Sequence, residues 1–473
     1  MTSEVPAESS SWLASWAPPE SRRGALQRGR GDGFRAALAG GSEAAAEVVG
    51  CVLADPRWDS QVESRDDHYA RLLLALAADL TPIAARLAEL ADDASLDLSD
   101  VWLPLGVCGE LAARGHPGAR EILAGLVART RLWRPCLDAL ASAGGADLIA
   151  AVVSPADAAA FVARAAPTEL AHAVDLIAAP WATWAAQLPT LRPLLLRRDA
   201  ERRASCSPPV ALDPALSAAA LLAIELPPRR MHELADLLDA RRDAATTAAL
   251  LAVATTPTHP ARATALRLLG RRACVDLLDD ATAYLRAEAA PGAPRATHGS
   301  LRGGYLQYLE RLPAAVVLPL ARAWFAEPWP LSLAAGGIFE RHATAEDRPV
   351  LVAAGATALA SGEMYRLCHV LAALAVVADP AAIDLLCAVV HAAPYSYARR
   401  LALAALVPHT GRADVDAVLT DALWDCEADA RWIACDRADL AAPTVRARLD
   451  EIAADEREDT ELRALAREVS AGP

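Results

Sequence analysis

Residues 398–406 read ARRLALAAL, residues 430–439 read ARWIACDRAD and residues 462–469 read LRALAREV. In each, an arginine is followed three places later by alanine inside an apolar run, and the arginines, Arg399, Arg431 and Arg463, stand 32 residues apart both times. Apolar residues three and four apart share one face of a 3.6-residue helix, so each segment predicts an amphipathic helix. A period of 32 holds two such helices and their turns, which is one helical hairpin, and recurrence at fixed spacing marks a repeat architecture. A fourth copy, ARATALRLLG at 261–270, carries the same pattern at Arg262 and Ala265.

The stretches between these copies punctuate themselves in the same way. Proline at the first helical position gives up no hydrogen bond, and a preceding Asp, Ser or Thr side chain accepts from the free N–H groups. Asp55-Pro56, Thr81-Pro82, Ser154-Pro155, Asp213-Pro214 and Asp379-Pro380 read as capped starts, with His116-Pro117 and His259-Pro260 in similar places. Apolar residues at helical spacing follow them, such as Ile83, Leu87 and Leu90. Aromatic residues make up only 5% of the chain while Ala and Leu dominate, which favours helix over strand. A chain of 473 residues is too long for one ordinary core, but stacked hairpins escape that limit because each touches only its neighbours.

The segments Asp429-Ala430-Arg431-Trp432-Ile433-Ala434 and Ala261-Arg262-Ala263-Thr264-Ala265-Leu266 resemble the second helix of the HEAT and HEAT-like (bilin-lyase type) repeat family, in which an acidic residue precedes Val-Arg-x-x-Ala-x-x-Ala-Leu. The chain departs from that pattern before the arginine, where Ala or Leu stands for Val. The resemblance covers about the last 80 residues and one unit near 260. It implies an all-α fold, an α-solenoid (superhelix) of antiparallel hairpins whose second helices form a concave face. It also implies a scaffold for protein partners, although HEAT-like proteins include bilin lyases and base-excision glycosylases.

Composition excludes several chemistries. The sequence contains no lysine and no asparagine, so all 46 basic residues are arginine. Without lysine there is no phosphate-binding loop of the GKS/GKT type, no Schiff base and no Ser-Lys dyad; without asparagine there is no Cys-His-Asn triad. A net charge of -14 opposes general attraction to nucleic acid or an anionic membrane, unless arginines gather locally. Nine cysteines without a CxxC pair indicate neither disulfide framework nor zinc ribbon, so a cytoplasmic location is expected. The first residues lack the order of a signal peptide, and uncharged runs such as 367–378 fall short of a span, so no membrane segment is expected. No cofactor is expected.

Four regions are expected: a mobile N-terminal tail over 1–40, a helical-repeat region over 41–288, a Pro- and Gly-rich linker or long loop over 289–304, and HEAT-like repeats over 305–473. Arg30-Gly31-Asp32 in the tail is the integrin-type tripeptide and is read as chance.

Residues 55–69, DPRWDSQVESRDDHY, form the densest polar stretch. Ser60 and Glu63 fit a capping box, and Asp67 is placed to pair with Arg71 one turn later. The apolar stripe Val62, Tyr69, Leu73, Leu76 and Leu80 leaves Asp66 in its gap and Arg65 at its edge, which calls for a buried ion pair between them or with a neighbouring helix. The rival reading is a ligand-binding or catalytic carboxylate, with Trp58 and His68 beside it. Trp181 with Trp184, and Trp324 with Trp329, lie in pairs beside prolines and suit either walls of a groove or the core between hairpins. The histidines show no metal-ligand spacing, so no metal site is expected. Together these residues predict a non-enzymatic scaffold binding a protein partner through its concave face. The alternative is an enzyme with a Trp/Asp/Arg-lined groove, distinguished by whether the arginine clusters at 197–203, 229–230, 241–242 and 271–272 converge.

Overall fold

The computed structural model describes residues 16–60, 62–92, 95, 98–166, 168–170, 181–205, 212–224, 226, 230–290 and 299–471. Over them every element is an α- or 3-10 helix, and there is no strand. The chain folds into two compact units, one of residues 212–389 with 404–409, the other of 16–205 with 390–403 and 410–471. The second unit therefore contains both ends of the described chain, which an order of regions read along the sequence does not anticipate.

In the 212–389 unit the helices Met231–Asp239, Arg262–Arg271, Gly299–Glu310, Leu331–His342 and Met364–Val377 each pack on the next. The intervening helices, Ala244–Ala254, Leu278–Ala289, Ala314–Trp324 and Arg348–Ser361, each pack against the helix that follows. Leu266, Leu269, Tyr308, Ile338, Phe339 and Leu371 are buried on the first-named of these helices. The expected break at 289–304 lies inside this unit. Arg302 pairs with Glu288 at 2.9 Å, and the rings of Tyr284 and Tyr305 stack at 4.5 Å, so the flanking helices share a core. Pro and Gly mark the end of a helix but do not say what the next helix packs on; residues 291–298 lie outside the described set.

The tail expected over 1–40 is corrected from residue 16 onward. Helices run over Arg22–Arg28 and Gly31–Leu53, with Leu26, Phe34 and Ala37 buried. Its arginines read as solvent-seeking, but two of them, Arg28 and Arg30, are buried: Arg28 donates to the carbonyls of Gly24 (2.8 Å), Ala17 (3.0 Å) and Ala392 (2.9 Å). Gly29 ends the first helix at a φ of 68°, and the Gly31 backbone lies so close to the Asp421 carbonyl that a Cβ would overlap it. The tripeptide at 30–32 is withheld from recognition, because Arg30 is buried and binds Asp32 and the Pro19 carbonyl. Residues 1–15 lie outside the described set.

Two helices of this unit, Gly31–Leu53 and Trp133–Val152, are long and apolar enough to cross a bilayer by length and composition alone. They carry charged residues such as Glu47 and Asp147, which is why a search for uncharged runs passes over them. Each is interrupted by a glycine at positive φ, Gly41 at 60° and Gly145 at 62°, and packs on neighbouring helices of the unit.

The Arg-x-x-Ala arginines show what the period is for. Arg399 is fully buried and binds Asp425 at 3.0 Å; Arg431 binds Glu458 through Nε at 3.1 Å and the carbonyls of Asp425 and Cys426 at 2.8 and 2.9 Å. Each guanidinium thus reaches the acidic turn that opens the next second helix, while Arg431 also ties down the carbonyl end before its own. Arg262 does the latter to Ala254 at 2.8 Å. Arg463, the last in the series, makes only a 3.4 Å bond to the Glu456 carbonyl. Arg431→Ala should lower the unfolding free energy by about 3 kcal/mol, since buried Glu458 then keeps only Arg71, at 3.9 Å, as a counter-charge. Arg463→Ala should cost about 1 kcal/mol or less, and urea denaturation of both variants measures the contrast.

Candidate functional site

The 55–69 segment is a turn followed by a helix that begins later than the capping-box reading requires. The helix runs Asp66–Ala75, and Ser60 and Val62 are exposed. Glu63 turns inward instead: one carboxylate oxygen accepts from the backbone N–H groups of Trp58 (2.7 Å) and Asp59 (2.9 Å), the other from Ser396 N–H (2.9 Å) and Arg65 (2.8 Å). Three backbone donors and a guanidinium outbid a serine amide, so the box is not formed. Burial alone would raise the Glu63 carboxyl, but the Arg65 charge and the Asp59 and Ser396 donors hold it below the usual range.

Arg65 is completely buried and bonds to the Gln27 carbonyl, to Pro394 at 3.1 Å and to Pro56 at 3.5 Å. Burial opposes its charge, yet Glu63 keeps it a cation. Beside it Tyr69 donates to the Leu26 carbonyl at 2.9 Å, and the Trp58 ring lies 4.8 Å from that of Tyr395. His68 is buried between Phe34 and Tyr69, at ring distances of 5.2 and 5.5 Å. Burial first, and then the nearby Arg65, push its pKa well below the ordinary value and keep it neutral. The ion pair expected of Asp66 is not formed among the described residues; Arg65 pairs with Glu63 instead.

Asp66 is the exception. Its Oδ1 is buried without a hydrogen-bond partner among the described residues, and its carboxyl lies so close to Gly106 that a Cβ there would collide with it. Burial, opposed by Arg57 and aided by Glu110, Asp55 and Asp67, raises its pKa to about 7. The Asp67–Arg71 pair forms as expected, at 3.8 Å.

The tryptophans divide. Trp181 and Trp184 are buried, their rings 5.3 Å apart, and both pack edge-on against Phe161, which stacks on Trp133 at 4.9 Å. Trp324 is buried in the other unit, so these three fill cores and line no groove. Trp329 is 44% exposed, with the Arg302 guanidinium 4.3 Å from its ring centre. Trp58, Arg65, Asp66, His68 and Tyr69 come together in one unit, but as closed interior apart from Asp66 and the edge of Trp58.

The open charged surface lies elsewhere, in the 212–389 unit. Arg242, Arg271, Arg311, Arg341, His342 and Asp239 line a cleft of about 590 Å³. They sit at or just past the C-terminal ends of the helices Met231–Asp239, Arg262–Arg271, Gly299–Glu310 and Leu331–His342. A helix C-terminus carries negative partial charge and favours cations, which explains one arginine per helix but not their convergence. Asp239 pairs with Arg271 at 3.1 Å and Arg242 at 3.2 Å, while the guanidiniums of Arg311 and Arg341 have no hydrogen bond or ion pair among the described residues. Arg341 also borders a second cavity of about 370 Å³ with Glu310, Gly337 and Glu340. There burial, and then the Glu340 charge, raise the Glu310 pKa, and His369 bonds to Glu340. Two of the arginine clusters named from sequence, 241–242 and 271–272, thus converge, while most side chains of 197–203 and Arg229 lie outside the described set. Arg311 and Arg341 were missed as site residues; the available signal was arginine recurring at helix ends 30 residues apart, at 311 and 341.

No protein-family model matches the chain, and no curated protein matches it.

A carboxylate whose folded pKa lies above its unfolded value binds its proton more tightly in the fold, so its contribution to stability declines as pH rises from about 4 to about 7. Asp66→Asn removes that loss. The variant should be more stable than the parent by about 2 kcal/mol at pH 8, with the difference vanishing near pH 4. Thermal melts across this range decide it, and a destabilised variant at pH 8 would show that Asp66 holds a favourable ion pair after all.

Proposed function

We propose that the chain is an α-solenoid of HEAT-like hairpins acting as a non-enzymatic scaffold, cytoplasmic and without a membrane span, that takes a protein partner along the concave face formed by its second helices. One observation carries this reading: the reactive side chains picked from the sequence are spent inside hairpin junctions, while the open charged surface is built from the ends of successive second helices. Closed junctions hold a frame; an open cleft in which Arg311 and Arg341 have no ion pair among the described residues offers contacts. Burial of Trp181, Trp184 and Trp324 removes the aromatic walls on which the groove-enzyme alternative rests.

Immobilised full-length protein exposed to soluble extract from its native source should retain one dominant protein in stoichiometric amount. Retention of nucleic acid or a small molecule alone, with no protein, would reverse the assignment.

A further inference from the structure

We propose that the arginine cleft of the 212–389 unit is the docking site for a short acidic segment of the partner, whose clustered carboxylates or phosphorylated side chain lodge among Arg242, Arg271, Arg311 and Arg341. This rests on the scaffold reading and names the chemistry its partner must carry.

Four arginines and one aspartate line the cleft, an excess of three positive charges, tempered by Glu310 at Arg311 and Arg341, in a chain whose net charge is -14. All four side chains are exposed, and Asp239 fixes Arg242 and Arg271 from behind while leaving Arg311 and Arg341 unpaired among the described residues. A guanidinium presents a planar fork that bonds carboxylate or phosphate through two parallel contacts, which makes a cluster of them selective for such groups over simple counter-ions. The volume, about 590 Å³, admits a few side chains of a peptide and not a nucleic-acid duplex. Polarity then sets the register. Beyond Arg341 the second cavity is lined by Glu310 and Glu340, which would repel a continuing anion. The fitting segment is therefore anionic over a short length and neutral or basic beyond it, unlike a nucleic-acid strand, whose charge recurs at every step.

Fluorescence anisotropy on the full chain at low ionic strength tests this with three labelled probes: a peptide with four consecutive aspartates followed by two arginines, one with a phosphoserine between two glutamates followed by two arginines, and a short oligothymidylate. At least one peptide should bind saturably and more tightly than the oligonucleotide, and the tighter of the two identifies carboxylate or phosphate as the source. Arg311→Glu and Arg341→Glu should each weaken that peptide at least tenfold, while Arg286→Glu, an exposed site on the Leu278–Ala289 helix, leaves it within twofold. Absence of saturable peptide binding, tighter binding of the oligonucleotide, or an equal loss in Arg286→Glu would each overturn the proposal. The native-extract experiment separates the two levels: a partner retained equally by the parent and by Arg311→Glu/Arg341→Glu sinks the cleft assignment alone, whereas no partner for either sinks the scaffold.

Discussion

A guanidinium removed from water must recover its hydration from the protein, and much of this fold is arranged around that requirement. Desolvating a charge is expensive, and the attraction of a buried pair offsets it only when the remaining donors and acceptors are also satisfied. Arg431 meets the condition with one carboxylate and two carbonyls and Arg28 with carbonyls alone, while Arg65 binds one carboxylate and three carbonyls but keeps its Nε buried without a hydrogen-bond partner among the described residues. Arg28 pays visibly for lacking an anion: burial first, then Arg30 and Arg399, lower its pKa to about 10.

These bonds also decide which parts of the chain belong together. The Arg65–Glu63 pair and its neighbours collect the carbonyls of Gln27 and Pro394 and the N–H of Ser396 around one turn, so residues early and late in the sequence close a single core. Arg114 bonds Asp455 at 3.0 Å, and Cys426 N–H bonds the Gly29 carbonyl at 2.8 Å, repeating the tie at other points of the same unit. Directional bonds of this kind fix register where apolar Ala and Leu surfaces, similar from hairpin to hairpin, discriminate poorly among alternative packings.

The helical class was legible because helix periodicity and proline-marked starts are local properties. Ser154 forms a capping box with Asp157 ahead of Pro155, and the His116 side chain accepts from Ala119 N–H at 3.3 Å, both where the sequence places a start. What was not legible depends on partners distant along the chain. Glu63 abandons Ser60 because Ser396 and Arg65 make a better offer, and a segment rich in Arg and Gly becomes core because Ala392 and Asp421 receive it. Charge content records solubility only for side chains that find no buried acceptor, and a single sequence does not display the acceptors.

The same residue type therefore plays opposite parts, and the difference lies in what surrounds it rather than in local sequence. Arg431 and Arg341 each lie on a second helix, in Ala430-Arg431-Trp432 and Glu340-Arg341-His342. Arg431 stands near the start of its helix, where a preceding turn and a later acidic turn enclose it; Arg341 stands at the end of its own, where the helix stops and neighbouring helix ends bring more arginines than acids. Position along the helix thus separates a buried tie from an exposed side chain. Cations at a helix end are individually favourable through the macrodipole, so such a cluster is assembled at little cost to folding. That economy lets the basic cleft coexist with an acidic chain, because the helix ends supply negative partial charge beside the arginines.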